Sequence, residues 1–293
     1  MKKLSTKQIA LTSVFAALIA AVSRLPGIPI VVGVQAGRIE FTVPLYPIAG
    51  ILLGPWVGAL AALIGNVVAF LLPSWSVFGL LTIPAGALSA MVAGFLTRRS
   101  ERYGWKAAAL VLGVLIAMWY VPVPNPQQAY MGLEAPYYPI PLHLPALALI
   151  LIFRQKIIDF VKSSVRRIMI FGVGLVTYIG IMTDHMWGNL MFANLFFPYY
   201  YDLKGFRDMI RTIAGWKELI GMGAPSQGTI LNDYSGIGDY FMVMLPVGAV
   251  ERLIFTAVAI FIGVAVLRII GPYLITWGVS SLETPAKKPN KTK

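Results

Sequence analysis

Eight apolar runs, separated by short charged or Pro/Gly-rich connections, decide what this chain can become. They fall at about 8–25, 41–53, 55–73, 77–97, 106–121, 141–153, 168–195 and 243–271. A helix rises ~1.5 Å per residue and the hydrocarbon of a bilayer is ~30 Å thick, so a run of roughly 20 apolar residues reaches across it. Composition removes the soluble alternative: 58% of residues are hydrophobic and 12% charged, against about 25% charged in a soluble domain. A soluble fold of this composition would expose large apolar patches and aggregate. The sequence predicts an all-α, polytopic transmembrane helix bundle with about eight spans, in contact with lipid throughout. The second and sixth runs are short. The second ends at Gly54-Pro55, and a helix that short needs a locally thin bilayer or burial by its neighbours. The sixth has room to extend through 153–165.

Basic residues set the orientation. With a cytoplasmic N-terminus, 17 Lys/Arg fall inside, six outside, and Arg252 lies within the last span. That asymmetry is what the positive-inside rule asks for. With eight spans both termini are cytoplasmic, which predicts a multi-pass protein of the cell membrane. The net charge of +12 is scattered between apolar runs, so it reads as topology charge and not as a nucleic-acid surface. The first run carries Ala21-Val22-Ser23, a weak small-residue cleavage pattern. It is expected to stay as a span, because removing it would break the even count. Residues 1–281 read as one integral membrane domain, and 282–293 as a disordered basic cytoplasmic tail.

Two outer segments are long. Residues 122–140 are proline-rich, which forbids a regular helix. Their Tyr130, Tyr137 and Tyr138 suit a membrane–water interface. Residues 199–241 form an extracellular loop, in which Phe206, Ile210, Ile213, Ala214 and Leu219 make a partial helical stripe. A helix lying on the outer face is expected there.

Much chemistry is absent. There is no cysteine, which excludes disulfides, thiolate catalysis and cysteine-ligated metal. The two histidines, His143 and His185, lack the paired spacing of a zinc protease. Gly172-Val173-Gly174 has no preceding strand and no third glycine, so it reads as close helix packing. There is no phosphate-binding loop and no nucleophile elbow. No metal, cofactor or catalytic set is expected, and no ATPase on this chain.

The informative residues are polar ones inside apolar runs. A charge at mid-membrane costs about 2.5–3.5 kcal/mol on insertion scales, so it faces a partner or a cavity. The seventh run groups Asp184, His185 and Asn189, with His185 and Asn189 one turn apart on one face. The eighth places Glu251 and Arg252 just past Pro246. Asp184 stands roughly 24 Å from Ile168 along its helix, so both groups fall in the outer half of the membrane. Two readings stay open: an Asp184–Arg252 ion pair between helices, or a solute contact. Arg38 and Glu40 precede the second span and read as loop charge or solute contacts. Trp75, Trp119 and Tyr120 end their spans as interface anchors or as pocket walls. Asn66, mid-span, reads as an interhelical hydrogen bond. On the first span Ala17-x-x-x-Ala21, and Ala16-x-x-x-Ala20 offset by one, allow another helix to approach closely. That helix belongs either to this chain or to a separate subunit.

Several stretches together resemble the S components of energy-coupling factor (ECF) transporters. They are KQIALTSVFAALIAAVSRLPGIPI, EFTVPLYPIAGILLGPWVGALAALIGNVVAFLL, FGLLTIPAGALSAMVAGFLTRR and the closing LPVGAVERLIFTAVAIFIGVAVLRIIG. The shared order is a small-residue first helix, a short second helix ending in Leu-Gly-Pro, a Gly/Ala-rich third and a fourth ending in basic residues. The resemblance implies a six-helix core that captures one small molecule, vitamin or precursor, near the outer face. It implies a transmembrane coupling subunit and two cytoplasmic ATPase subunits as partners. It places the docking face on Ala17 and Ala21. This chain departs from the family in an extra helix pair at about 106–153 and in the loop at 199–241. The expected function is therefore the solute-binding subunit of an ATP-driven importer. Its pocket would be framed by the loops after helices one and three and by the outer halves of helices seven and eight. Arg252 or Arg38 would meet anionic groups, and Trp75, Trp119 or Tyr120 would stack on rings. Two other readings are a membrane enzyme using Asp184, His185 and Glu251 as acid–base groups, and an assembly scaffold with no outer cavity.

Overall fold

The protein is represented by a computed structural model, which describes residues 5–25, 28–29, 38–39, 41–72, 77–98, 103–121, 132, 135–196, 236–271 and 273. Helix α1 (Thr6–Val22) opens on a reciprocal cap. Ser5 Oγ accepts from the Gln8 amide at 3.2 Å, and Gln8 Oε1 accepts from the Ser5 amide at 2.9 Å. Two backbone donors that the first turn leaves without intrahelical partners are thereby satisfied. After α1 comes a two-residue antiparallel ladder, β1 (Ile28–Pro29) against β2 (Arg38–Ile39). Every other element described is a helix, so the helical membrane bundle expected from the sequence is the fold.

Helices α2 (Leu45–Leu53) and α3 (Pro55–Leu71) meet at Gly54-Pro55. Gly54 adopts φ 85°, a conformation that favours glycine. Pro55 occupies the first turn of α3, where its missing N–H costs nothing. This is the physical content of the Leu-Gly-Pro sequence. Helix α2 has nine residues, all buried, and packs on α3, α4 (Val77–Thr97) and α8 (Arg166–Met191). Burial by neighbours is what allows so short an apolar helix.

Pro84 lies inside α4. A proline removes one backbone hydrogen bond from the ladder and crowds the preceding turn. Donors from two other helices reach α4 carbonyls beside it: Asn66 Nδ2 to Ile83 O at 3.1 Å and Trp187 Nε1 to Leu81 O at 3.0 Å. Asn66 Oδ1 in turn accepts from Tyr46 Oη at 2.9 Å. The mid-span asparagine expected to join helices does so, across α2, α3 and α4. Arg24, just past α1, donates through Nη2 to Ala69 O in the last turn of α3 at 2.7 Å. The C-terminal ends of α1 and α3 therefore lie side by side.

The chain continues through α5 (Gly104–Met118), α6 (His143–Phe153), α7 (Lys156–Val161), α8 and a π-helical turn (Phe192–Phe196), and α9 (Gly236–Ile269). The expected extension of the sixth run through 153–165 is broken. Arg154 takes φ 46°, ending α6 and starting the separate short helix α7. The last helix begins at Gly236, seven residues before the apolar run that predicted it. The surface helix expected around 206–219 and the basic tail lie outside the described residues. By length and composition Val77–Thr97, Arg166–Leu195 and Met244–Ile269 can cross a membrane, while α1, α3, α5 and α6 are shorter apolar helices.

Candidate functional site

The segment after α5 folds back over the end of that helix and fixes the local geometry. Trp119 Nε1 donates to Ala135 O at 2.9 Å, and Tyr120 Oη donates to Pro136 O at 2.8 Å. The Trp119 and Tyr138 rings stack with centroids 5.0 Å apart, and Phe241 of α9 meets both edge-on at 5.0 and 4.9 Å. Trp119 is fully buried and Tyr138 is 3% exposed. The expectation that these two rings anchor the membrane interface is therefore corrected. The 135–142 fold-back takes them inside and leaves Tyr137 outward, 68% exposed. Tyr120 remains half-exposed, as its place at a helix end predicts.

Beneath this aromatic cap lies a polar seam. Asn189 Nδ2 donates to Tyr138 Oη at 3.0 Å, and Tyr138 Oη lies 3.5 Å from His185 Nε2. His143, the first residue of α6, stacks on His185 with ring centroids 5.2 Å apart and planes 20° from parallel. On the facing helix α9, a Cβ placed on Gly248 would lie 3.7 Å from His185 Cε1. Glycine thus brings the α9 backbone close to the imidazole. One turn on, Arg252 carries its guanidinium 3.7 Å from Glu251 and over the Phe255 ring. Asp184, His185 and Glu251 are all buried.

Of the residues singled out from the sequence, His185, Asn189, Glu251, Arg252 and Trp119 come together around this seam. Asp184 is buried in the same turn of α8 as His185. Arg252 makes its ion pair with Glu251, its own neighbour in α9. Arg38 contributes backbone to β2, pairing with Pro29, while Glu40 and Trp75 lie outside the described residues. Two members were not assigned from the sequence: Tyr138 and His143. A signal was present, because an apolar chain with only two histidines brings both into one stack. On α1 the two alanine stripes divide. Ala16 and Ala20 are buried, at 5% and 6% exposure, and Gly65 of α3 lies against the Ala16 turn; Ala17 and Ala21 are exposed.

Residues 3–122 match the family model described as ECF-type riboflavin transporter, S component. The match supports an ECF S component. The S-component match runs from α1 through α5, so it includes both alanine stripes, the Gly54-Pro55 turn and Trp119. It also takes in the first helix of the pair at 106–153. Tyr138, His143, His185, Asn189, Glu251 and Arg252 lie beyond it. An uncharacterized protein of Methanocaldococcus jannaschii is 32% identical over 148 residues, which is 50% of this chain and 46% of that protein. The chain thus matches about half the length of that curated relative. No solved structure matches the chain.

Proposed function

We propose that this chain is the solute-binding subunit of an ATP-driven ECF-type importer, taking a vitamin-like small molecule from the outer face of the cell membrane. The single observation that carries the reading is the S-component match over residues 3–122. The buried polar seam under an aromatic cap supports it, because polar groups held in apolar helices are expected at solute sites. A transmembrane coupling subunit and two cytoplasmic ATPases would supply the energy, and this chain would hydrolyse nothing. Riboflavin, named in the description of the matching family, is the first solute to try. Native mass spectrometry of gently purified protein, with and without added riboflavin, tests the reading. A retained small molecule is the expected result. Its absence, together with no uptake by cells that co-express a coupling module, would remove solute capture.

Within this reading Asn189 holds the Tyr138 hydroxyl, which in turn faces His185. Asn189→Ala removes that donor without stranding a charge. It is expected to weaken solute binding by about 0.5–1.5 kcal/mol, the net value of one hydrogen bond, with little loss of stability. Unchanged affinity by titration calorimetry would move the site away from α8.

The reading also places both termini in the cytoplasm, on the 17-to-6 division of basic residues. Because the chain has no cysteine, single-cysteine variants report cleanly. Tyr137→Cys, before α6, is expected to react with an impermeant thiol reagent from outside intact cells. Ser164→Cys, between α7 and α8, is expected to react only after the membrane is opened. Equal labelling of both from outside is incompatible with this topology.

A further inference from the structure

Four nitrogen atoms in the seam are buried and have no hydrogen-bond partner among the described residues: His143 Nδ1 and Nε2, His185 Nδ1 and Arg252 Nε. His143 is fully buried, His185 is 7% exposed and the Arg252 side chain 13%. A buried polar group without a partner costs about 1–3 kcal/mol, so such groups are ordinarily matched by a partner. That such groups collect at one place, from three helices, points to something that comes to meet them.

The polarity of the set follows from its chemistry. Asn189 donates to the Tyr138 oxygen, and the same hydroxyl lies 3.5 Å from His185 Nε2. Arg252 Nε–H can only donate, and each neutral imidazole carries one donor and one acceptor. The set therefore holds at least two unpartnered donors, one on Arg252 and one on His143, and its complement must bring acceptors. Charge narrows the class further. Glu251 sits 3.7 Å from Arg252 and already balances it. A carboxylate or phosphate would bring an unbalanced negative charge beside Glu251 in a low-dielectric region, which is costly. An uncharged carbonyl brings the acceptor without the charge. The imidazoles, with centroids 5.2 Å apart, are too close for a ring to slide between them, so the carbonyl edge is what they meet. Among the described residues no third metal-ligating side chain joins them.

We infer that His143, His185 and Arg252 form a receiving site for an uncharged, carbonyl-bearing edge of the solute, and that α6, beyond the family-matched segment, supplies part of its selectivity. The inference rests on the solute-capture reading and names the chemistry of that site.

The test uses the full-length protein in detergent, with riboflavin, whose ring carries a neutral imide, as the probe and orotate, an imide ring bearing a carboxylate, as its comparator. Binding is read by flavin fluorescence quenching for riboflavin and by thermal shift for both. His143→Phe keeps a ring of similar size and removes two unpartnered nitrogens. It is expected to weaken riboflavin binding at least tenfold while the melting temperature holds or rises. A melting temperature that rises with unchanged riboflavin affinity would show that the nitrogens hold only structural water, and would overturn the site. Should His143→Phe fail to accumulate, Arg252→Gln and His143→Gln carry the same test, each expected to weaken binding severalfold. Stabilisation by orotate as large as by riboflavin would overturn the uncharged class. Retention of a solute without a carbonyl, seen by native mass spectrometry, would overturn the assignment while leaving solute capture standing. No retained solute and no uptake would remove the capture reading itself.

Discussion

Gly50→Ala is expected to abolish monodisperse folded protein, although it adds one methyl group. Alanine is the better helix former, by about 0.8–1 kcal/mol, so propensity alone would make the change favourable. Space reverses the sign. A Cβ on Gly50 would collide with the backbone carbonyl of Ala90 in α4, and one on Gly58 would lie 2.8 Å from Ala49 O and from Gly50 Cα. Gly94 meets the Gly54-Pro55 backbone in the same way, and a Cβ on Gly86 would lie 2.6 Å from the Tyr46 ring. Because main chain lies on both sides of Gly50, no side chain can turn aside; α2 or α4 must move. Helix α2 is buried along its whole length, so moving it disturbs α3, α4 and α8 together. Overpacking with side chains that can adjust costs about 1–3 kcal/mol, and a backbone obstruction exceeds that range. Total stabilities are only about 5–15 kcal/mol. Gly113→Ala is the control: the same chemical change, with Leu147 Cδ2 a full 4.0 Å away. It should be neutral or stabilising. Size-exclusion profiles and melting temperatures in detergent decide the matter, and wild-type behaviour of Gly50→Ala would show that the α2–α4 contact is not close packed.

The helices were legible because apolar length is a coarse and strong signal, and the short α2 was legible because Gly54-Pro55 punctuates it. Which face of a helix meets protein was not legible. In a soluble helix the polar face reveals the answer, but in lipid both faces are apolar. Ala16/Ala20 and Ala17/Ala21 therefore look equivalent in the sequence, and only the position of Gly65 separates them. The polar seam was half legible. His185, Asn189, Glu251 and Arg252 stand out as costly residues in apolar runs. Trp119 was legible only as one of two readings, interface anchor or pocket wall, and Tyr138 read as an interface residue, because aromatic residues at span ends ordinarily mark the interface. Their burial depends on the fold-back of residues 135–142, a tertiary event with no period or motif to announce it. His143 enters the seam through that same fold-back.

Under the solute-capture reading proposed above, Ala17→Trp is expected to eliminate transport while leaving solute binding intact. On α1 the buried stripe of Ala16, Ile19 and Ala20 packs against α3, and its tight spot is occupied by Gly65, whose added Cβ would lie 2.8 Å from Ile19 Cβ. Ala17 and Ala21 lie on the exposed side of the same helix, with Val14 and Leu18 as exposed neighbours. Small residues four apart let a second helix approach until backbones nearly touch, and packing at that distance is the main driving force for helix association in lipid. An indole at Ala17 points away from the fold and leaves its packing unchanged, so melting temperature and solute affinity should stay near wild type. If a coupling subunit docks on this face, the same indole holds its helix away and removes the contact. Co-purification with the coupling subunit and uptake should then fall at least tenfold, and Ala21→Trp should behave alike. Ala16→Trp supplies the contrast: it enters the α1–α3 contact and should lose fold, binding and transport together. Full transport by Ala17→Trp would place the docking face elsewhere. Loss of binding in the isolated Ala17→Trp protein would make that alanine part of the intramolecular packing instead.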